Sequence, residues 1–170
     1  MLLSMWRLAG PRLIVGLLVV LLSGCATLGL EKRVTLGPTA EEIWKTRIRM
    51  QNGRDPSFDE RGLWYDQMDR RISRFLNEHP EIANSYEIMG FRSTKQVAVG
   101  MTTEQVTVLL GGPDARVTNA AEMEKLARRF WPEIKGKAKE VWLYPDGWRI
   151  FIADGRVIDL VQYNLPTFRL

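Results

Sequence analysis

Cysteine and histidine are nearly missing from this chain. Of 170 residues one is cysteine, Cys25, and one is histidine, His79. A lone cysteine rules out a disulfide framework, and no second Cys or His remains to complete a zinc-type ligand set. No metal site is expected. Long apolar runs are scarce as well. The longest, residues 13–22, is too short to cross a hydrocarbon core about 30 Å thick as a helix. There is no internal repeat and no low-complexity tract. The pair Gly111-Gly112 lacks the Lys-Ser/Thr of a phosphate-binding loop. Nucleophilic catalysis needs an activated Ser, Cys or Thr beside a base. A carboxylate pair could serve glycoside hydrolysis, but Asp146 and Asp154 stand in turn sequences and leave Asp159 alone. No catalytic residue is assigned, and a non-enzymatic role is expected.

What is present begins with a basic start, Arg7 and Arg12, followed by the apolar run and Leu22-Ser23-Gly24-Cys25. This has the layout of a secretory signal, and its end is similar to a bacterial lipobox. The expected organisation is a lipoprotein signal peptide over 1–24, a lipidated tether over 25–38, a helical region over 39–92 and an α+β domain over 93–165. The lipobox resemblance implies cleavage between Gly24 and Cys25, a diacylglycerol on the Cys25 thiol and an acylated new amine. Two or three acyl chains hold a protein stably, at about 0.8 kcal/mol per buried methylene. Ala26 in place of aspartate implies sorting to the outer membrane, facing the periplasm. The covalent lipid on Cys25 is the only non-protein group expected. Loss of Arg7 and Arg12 would lower the formal charge from +4 to +2, so nothing in the charge calls for nucleic acid.

The middle of the chain reads as helices. Thr39 and Glu42 form a capping box ahead of a helix over 39–51, with Ile43, Trp44 and Ile48 inward and Asn52-Gly53 as its stop. Ser57 and Glu60 repeat the pattern ahead of Trp64, Met68, Ile72, Phe75 and Leu76, an amphipathic stripe whose remaining faces carry Arg70, Arg71 and Arg74 among other charges. His79-Pro80 breaks that helix. Pro80 is expected to open a short helix ending near Met89-Gly90, with Ile82 and Tyr86 inward. His79 could ligate a metal, act as a base or sense pH; a helix-end histidine is the preferred reading. Val97 and Val99 suggest a short edge strand.

The stretch 100–114 carries its own signals. Thr102 caps, Gln105 closes the box, Val106, Leu109 and Leu110 share a face, and Gly111-Gly112-Pro113 stops the helix. Downstream, Val141-Trp142-Leu143-Tyr144, Trp148-Arg149-Ile150-Phe151-Ile152 and 157–163 read as three strands, joined by Pro145-Asp146-Gly147 and Asp154-Gly155. The expected fold class is α+β: a small three-stranded antiparallel sheet, both faces partly covered, packed by the short helix, with extra N-terminal helices and the signal helix.

These residues carry a resemblance. Gly100-Met101-Thr102, Gln105-Val106, Leu110-Gly111 and Pro113-Asp114, then Val141-Trp142 and Tyr144, then Asp154-Gly155-Arg156-Val157, resemble the BamE-like (SmpA/OmlA) outer-membrane lipoprotein domain family over 97–163. The resemblance implies a lipid-anchored scaffold accessory to outer-membrane protein assembly or envelope integrity, with the β-barrel assembly machinery as protein partner. An envelope ligand-binding lipoprotein, taking peptidoglycan, lipid or another small ligand, is the alternative. The family pattern has a shorter turn where this chain has 119–139. There Asn119 is expected to cap a helix through Phe130, ended by Trp131-Pro132. Lys125, Arg128, Arg129, Lys135, Lys137 and Lys139 stand against Glu133, a local charge of +5. That cluster is either a solvated surface or a patch for anionic headgroups or an acidic partner.

Overall fold

The computed structural model describes residues 31–83 and 88–163. The signal peptide, Gly24, Cys25, Tyr86 and the tail from 164 lie outside these residues. In chain order the elements are β1 (Glu31–Val34), β2 (Leu36–Thr39), α1 (Ala40–Asn52), α2 (Phe58–Glu78), α3 (Ile88–Ser93), β3 (Gln96–Ala98), α4 (Thr103–Leu110), β4 (Ala115–Val117), α5 (Ala120–Ala127), a 3-10 turn (Arg128–Phe130), α6 (Trp131–Ile134), β5 (Glu140–Tyr144), β6 (Trp148–Ala153) and β7 (Arg156–Tyr163).

The protein is α+β with antiparallel sheets. The expected meander β5-β6-β7 is the centre of a five-stranded sheet ordered β1-β7-β6-β5-β4, and β2 pairs with β3 in a second, two-stranded sheet. The three-stranded expectation is therefore corrected. β1 is highly charged and does not announce itself by apolar alternation, whereas 115–118, which the sequence leaves open between strand and extended loop, forms the three-residue β4. Pairing supplies what their patterns lack: Glu31 lies opposite Tyr163 and Ala115 opposite Leu143. The tether expectation is corrected over 31–38 for the same reason, since β1 and most of β2 fall there.

Both faces of the large sheet are covered. Trp142, Tyr144, Trp148, Ile150 and Leu160 pack with α1, α2 and α4, while Val141, Phe151 and Val161 pack with Met123, Ala127 and Ile134 from 119–139. Adjacent apolar residues in β6 thus serve opposite cores. The bulge between Phe151 and Ile152 shifts the register against β7, and buried Asp159 is held there by a two-pronged pairing with Arg33 Nε at 3.0 and 2.8 Å. Both hairpin turns use positive φ, Asp146 and Gly147 in one and Asp154 and Gly155 in the other. At Gly147 a side chain is excluded twice over: φ is +72°, and a Cβ would stand 1.8 Å from the Tyr163 carbonyl oxygen.

The capping boxes at Thr39, Ser57 and Thr102 all close as expected. α4 has eight residues, shorter than the roughly 12–15 an isolated helix needs. Buried Val106, Leu109 and Leu110 make up the deficit, at about 1.5–3 kcal/mol for each fully buried side chain.

Two helix expectations are corrected. The helix after Pro80 is α3, starting at Ile88 rather than ending near Met89-Gly90; Ile88 and Phe91 are its buried residues. Residues 80–83 form turns instead. The helix from Asn119 ends at Ala127, because Arg128 takes φ +51°. Trp131-Pro132 then opens α6 instead of ending a helix, which proline permits in a first turn, where its missing N–H has no partner to lose.

Candidate interaction surfaces

The stretch after Gly100 and the Asp154-Gly155 hairpin are joined directly. Gly100 N–H donates to the Val157 carbonyl at 2.8 Å, Val157 N–H to the Met101 carbonyl at 2.8 Å and Thr103 N–H to the Gly155 carbonyl at 2.9 Å. Arg156 Nη1 donates to the Gly100 carbonyl at 3.0 Å. At the other end of α4 the Tyr144 hydroxyl donates to the Gly111 carbonyl at 2.8 Å. The short helix is thus fastened to the sheet at both ends.

The six cations singled out in 119–139 divide into two groups. Arg128 lies 2.8 Å from the Glu31 carboxylate and 3.7 Å over the Tyr163 ring. Arg129 Nη2 donates to the Glu31 carbonyl at 2.6 Å. These two fasten the segment to β1 and β7. Lys125, Lys135, Lys137 and Lys139 are exposed. Arg149 lies 5.1 Å from the centre of the Tyr163 ring, and its Nη1 is buried without a partner among the described residues. Burial, and secondarily the charge of Arg128, holds the Arg149 guanidinium below its ordinary pKa.

A second cationic surface was not singled out from the sequence. α1, α2 and α4 enclose a groove of about 570 Å³, lined by Trp44, Trp64, Leu109 and Leu110 and by Arg47, Arg70, Arg71 and Arg74. Trp44 and Trp64 stack with ring centroids 5.0 Å apart, and Trp64 is buried. Arg47 is already engaged. It donates to the carbonyls of Leu110 at 2.7 Å and Gly112 at 2.8 Å and meets Asp114 at 3.1 Å, so it closes the C-terminal end of α4. Arg70, Arg71 and Arg74 have no hydrogen bond or ion pair among the described residues, although Asp69 beside them pairs with Lys95. Burial lowers the Arg71 pKa from its ordinary value. The signal for these residues was their place on α2: Arg71 and Arg74 immediately precede the core residues Ile72 and Phe75, so they border the buried stripe.

The groove continues into a second cavity of about 360 Å³, which shares Arg71 and Arg74 and ends at Glu78 and Glu104. Its end is bridged by His79, with Nδ1 3.1 Å from Glu81 and Nε2 3.4 Å from Glu104. The hydrogen bond to Glu81 is the largest effect and raises the His79 pKa; burial, the next, opposes it, and Glu104 adds to the rise. The histidine therefore sits at the end of α2, as preferred from the sequence, and also ties α2 to α4.

No protein-family model matches this chain, and no curated protein or solved structure matches it either. Among the described residues no group of three or more His, Cys, Asp or Glu side chains is placed to hold a metal ion. No helix of the described residues is long and apolar enough to cross a membrane. Gly24 and Cys25, the proposed processing and lipidation residues, lie outside them.

Proposed function

We propose that this protein is a lipid-anchored interaction module of the bacterial envelope, BamE-like over 97–163 and held to the periplasmic face of the outer membrane through Cys25. It acts by binding rather than by catalysis, as an accessory scaffold for outer-membrane protein assembly or envelope integrity, with the β-barrel assembly machinery as the protein partner. The observation that carries the reading is the hydrogen-bonded union of the two stretches on which the family resemblance rests, 100–103 and 155–157. Their meeting supports treating the two stretches as one structural unit.

Cys25→Ser tests the anchor. The variant is expected in the soluble periplasmic fraction while the parent sediments with outer membranes; equal fractionation would remove the lipoprotein assignment. Crosslinking in intact envelopes tests the role. Capture of assembly-machinery subunits supports the scaffold, and capture of peptidoglycan or lipid alone supports the ligand-binding alternative.

A further inference from the structure

We infer that the groove between α2 and α4 receives an amphipathic helix of a partner protein, acidic over one turn and basic about two turns farther on. The inference deepens the interaction-module reading by naming the partner's chemistry. It can fail separately, because the anchor is judged by fractionation and the groove by direct binding.

Three features point to a polypeptide. The first is charge without internal balance. Arg70, Arg71 and Arg74 line the groove, exposed to solvent and with no hydrogen-bond or ion-pair partner among the described residues. Such cations are favourable sites for carboxylates, which guanidinium groups grip with two parallel bonds. The second is an apolar wall beside the arginines, half-buried Trp44 stacked on buried Trp64. An inorganic phosphate would satisfy the cations and leave Trp44 uncovered. An amphipathic helix covers both, with its apolar face down.

The third is the change of sign along the groove. The same channel that passes Arg71 and Arg74 ends at Glu78 and Glu104. From Arg71 to Glu78 the rise along α2 is about 10 Å, or two turns, at 1.5 Å per residue. An anionic lipid headgroup or an anionic glycan presents one sign and gains nothing from the acidic end. A polypeptide carries both signs at fixed spacing. The groove thus selects for two signs at a set spacing, and a partner of one sign throughout places like charges together at one end.

The test uses the full chain and two synthetic helical peptides with a common leucine face. One has glutamates in its first turn and lysines two turns later; the other has glutamates at both places. By fluorescence anisotropy, the first is expected to bind at least tenfold more tightly, and less tightly as salt rises. Arg71→Glu with Arg74→Glu is expected to weaken both peptides, because their glutamates then meet glutamates. Circular dichroism melting of the variant checks its fold, and Arg71→Gln with Arg74→Gln, which introduces no repulsion, is expected to weaken the first peptide without favouring the second. Phosphatidylglycerol vesicles and pyrophosphate are run as competitors. Equal binding of both peptides, binding of neither, or binding of vesicles or pyrophosphate alone with the same dependence on Arg71 and Arg74 would overturn the inference.

Discussion

Between 125 and 139 the cations follow one another along the chain; around the α1–α2–α4 groove they come from positions 47 to 74 and are gathered by helix packing. The contiguous cluster is the more conspicuous in the sequence, yet its two arginines are occupied in fastening 119–139 to β1 and β7. Its four lysines are exposed, and the dispersed group divides in the same way. One arginine closes the end of α4, and three border a groove without internal partners. Local charge density therefore says little about which cations are free to meet a ligand. What decides it is whether the fold brings a carboxylate or carbonyl to each guanidinium.

The sharpest test of the contrast concerns the core under each region. Ile150 and Phe151 are neighbours in β6, both fully buried, one facing α1, α2 and α4 and the other facing 119–139. Phe151→Ala is expected to cost about 3–5 kcal/mol and Ile150→Ala about 2–5 kcal/mol in urea unfolding. A loss below about 1 kcal/mol for Phe151→Ala would mean that 119–139 is a loose cover and not a second core.

A smaller effect separates the arginines themselves. Arg128→Ala should destabilise by up to about 1 kcal/mol, since its pair with Glu31 is partly exposed and screened by solvent. Arg74→Ala should stay within about 0.5 kcal/mol, as expected for a side chain with no role in holding the fold. Equal losses would erase the distinction between fastening and free cations.

The smallest effect is a pH dependence at the acidic end of the groove. The His79 pKa is raised in the folded protein. Its contribution to stability is therefore complete below the unfolded value, about 6.5, and is lost as pH rises through the folded value. The stability difference between the parent and His79→Asn should be larger at pH 5.5 than at pH 8.5. A difference that grows with pH would mean that Glu81 and Glu104 are not what holds the ring.

Local signals made much of the fold legible. Thr39, Ser57 and Thr102 each announce a helix start through a bond spanning three residues, and the Asp146-Gly147 and Asp154-Gly155 pairs announce turns through backbone freedom. Such features depend on near neighbours only. β1 did not show, because its identity as a strand rests on a partner in β7 that lies far along the chain. Trp131-Pro132 misled because proline ends one helix and begins another with equal ease, and only the φ of Arg128 determines which occurs. The groove was the least legible feature. It requires the packing of α1 and α4 against α2, and the sequence reading placed Arg70, Arg71 and Arg74 on the outer faces of α2 with no surface opposite them.

The pairing of β1 with β7 also has a mechanical side. β1 is the outermost strand, joined within the sheet to one neighbour, and Glu31 at its start faces Tyr163 at the end of that neighbour. Traction applied at residue 31, with the opposing strand held at residue 163, loads this ladder one rung at a time, as in opening a zip, not all rungs together as in shear. The first strand would peel only after Glu31 lets go of Arg128 and Arg129. Peeling would strip Arg33 from Asp159 and bare the flank of β7, so a pull at that end would uncover a fresh edge able to accept another strand.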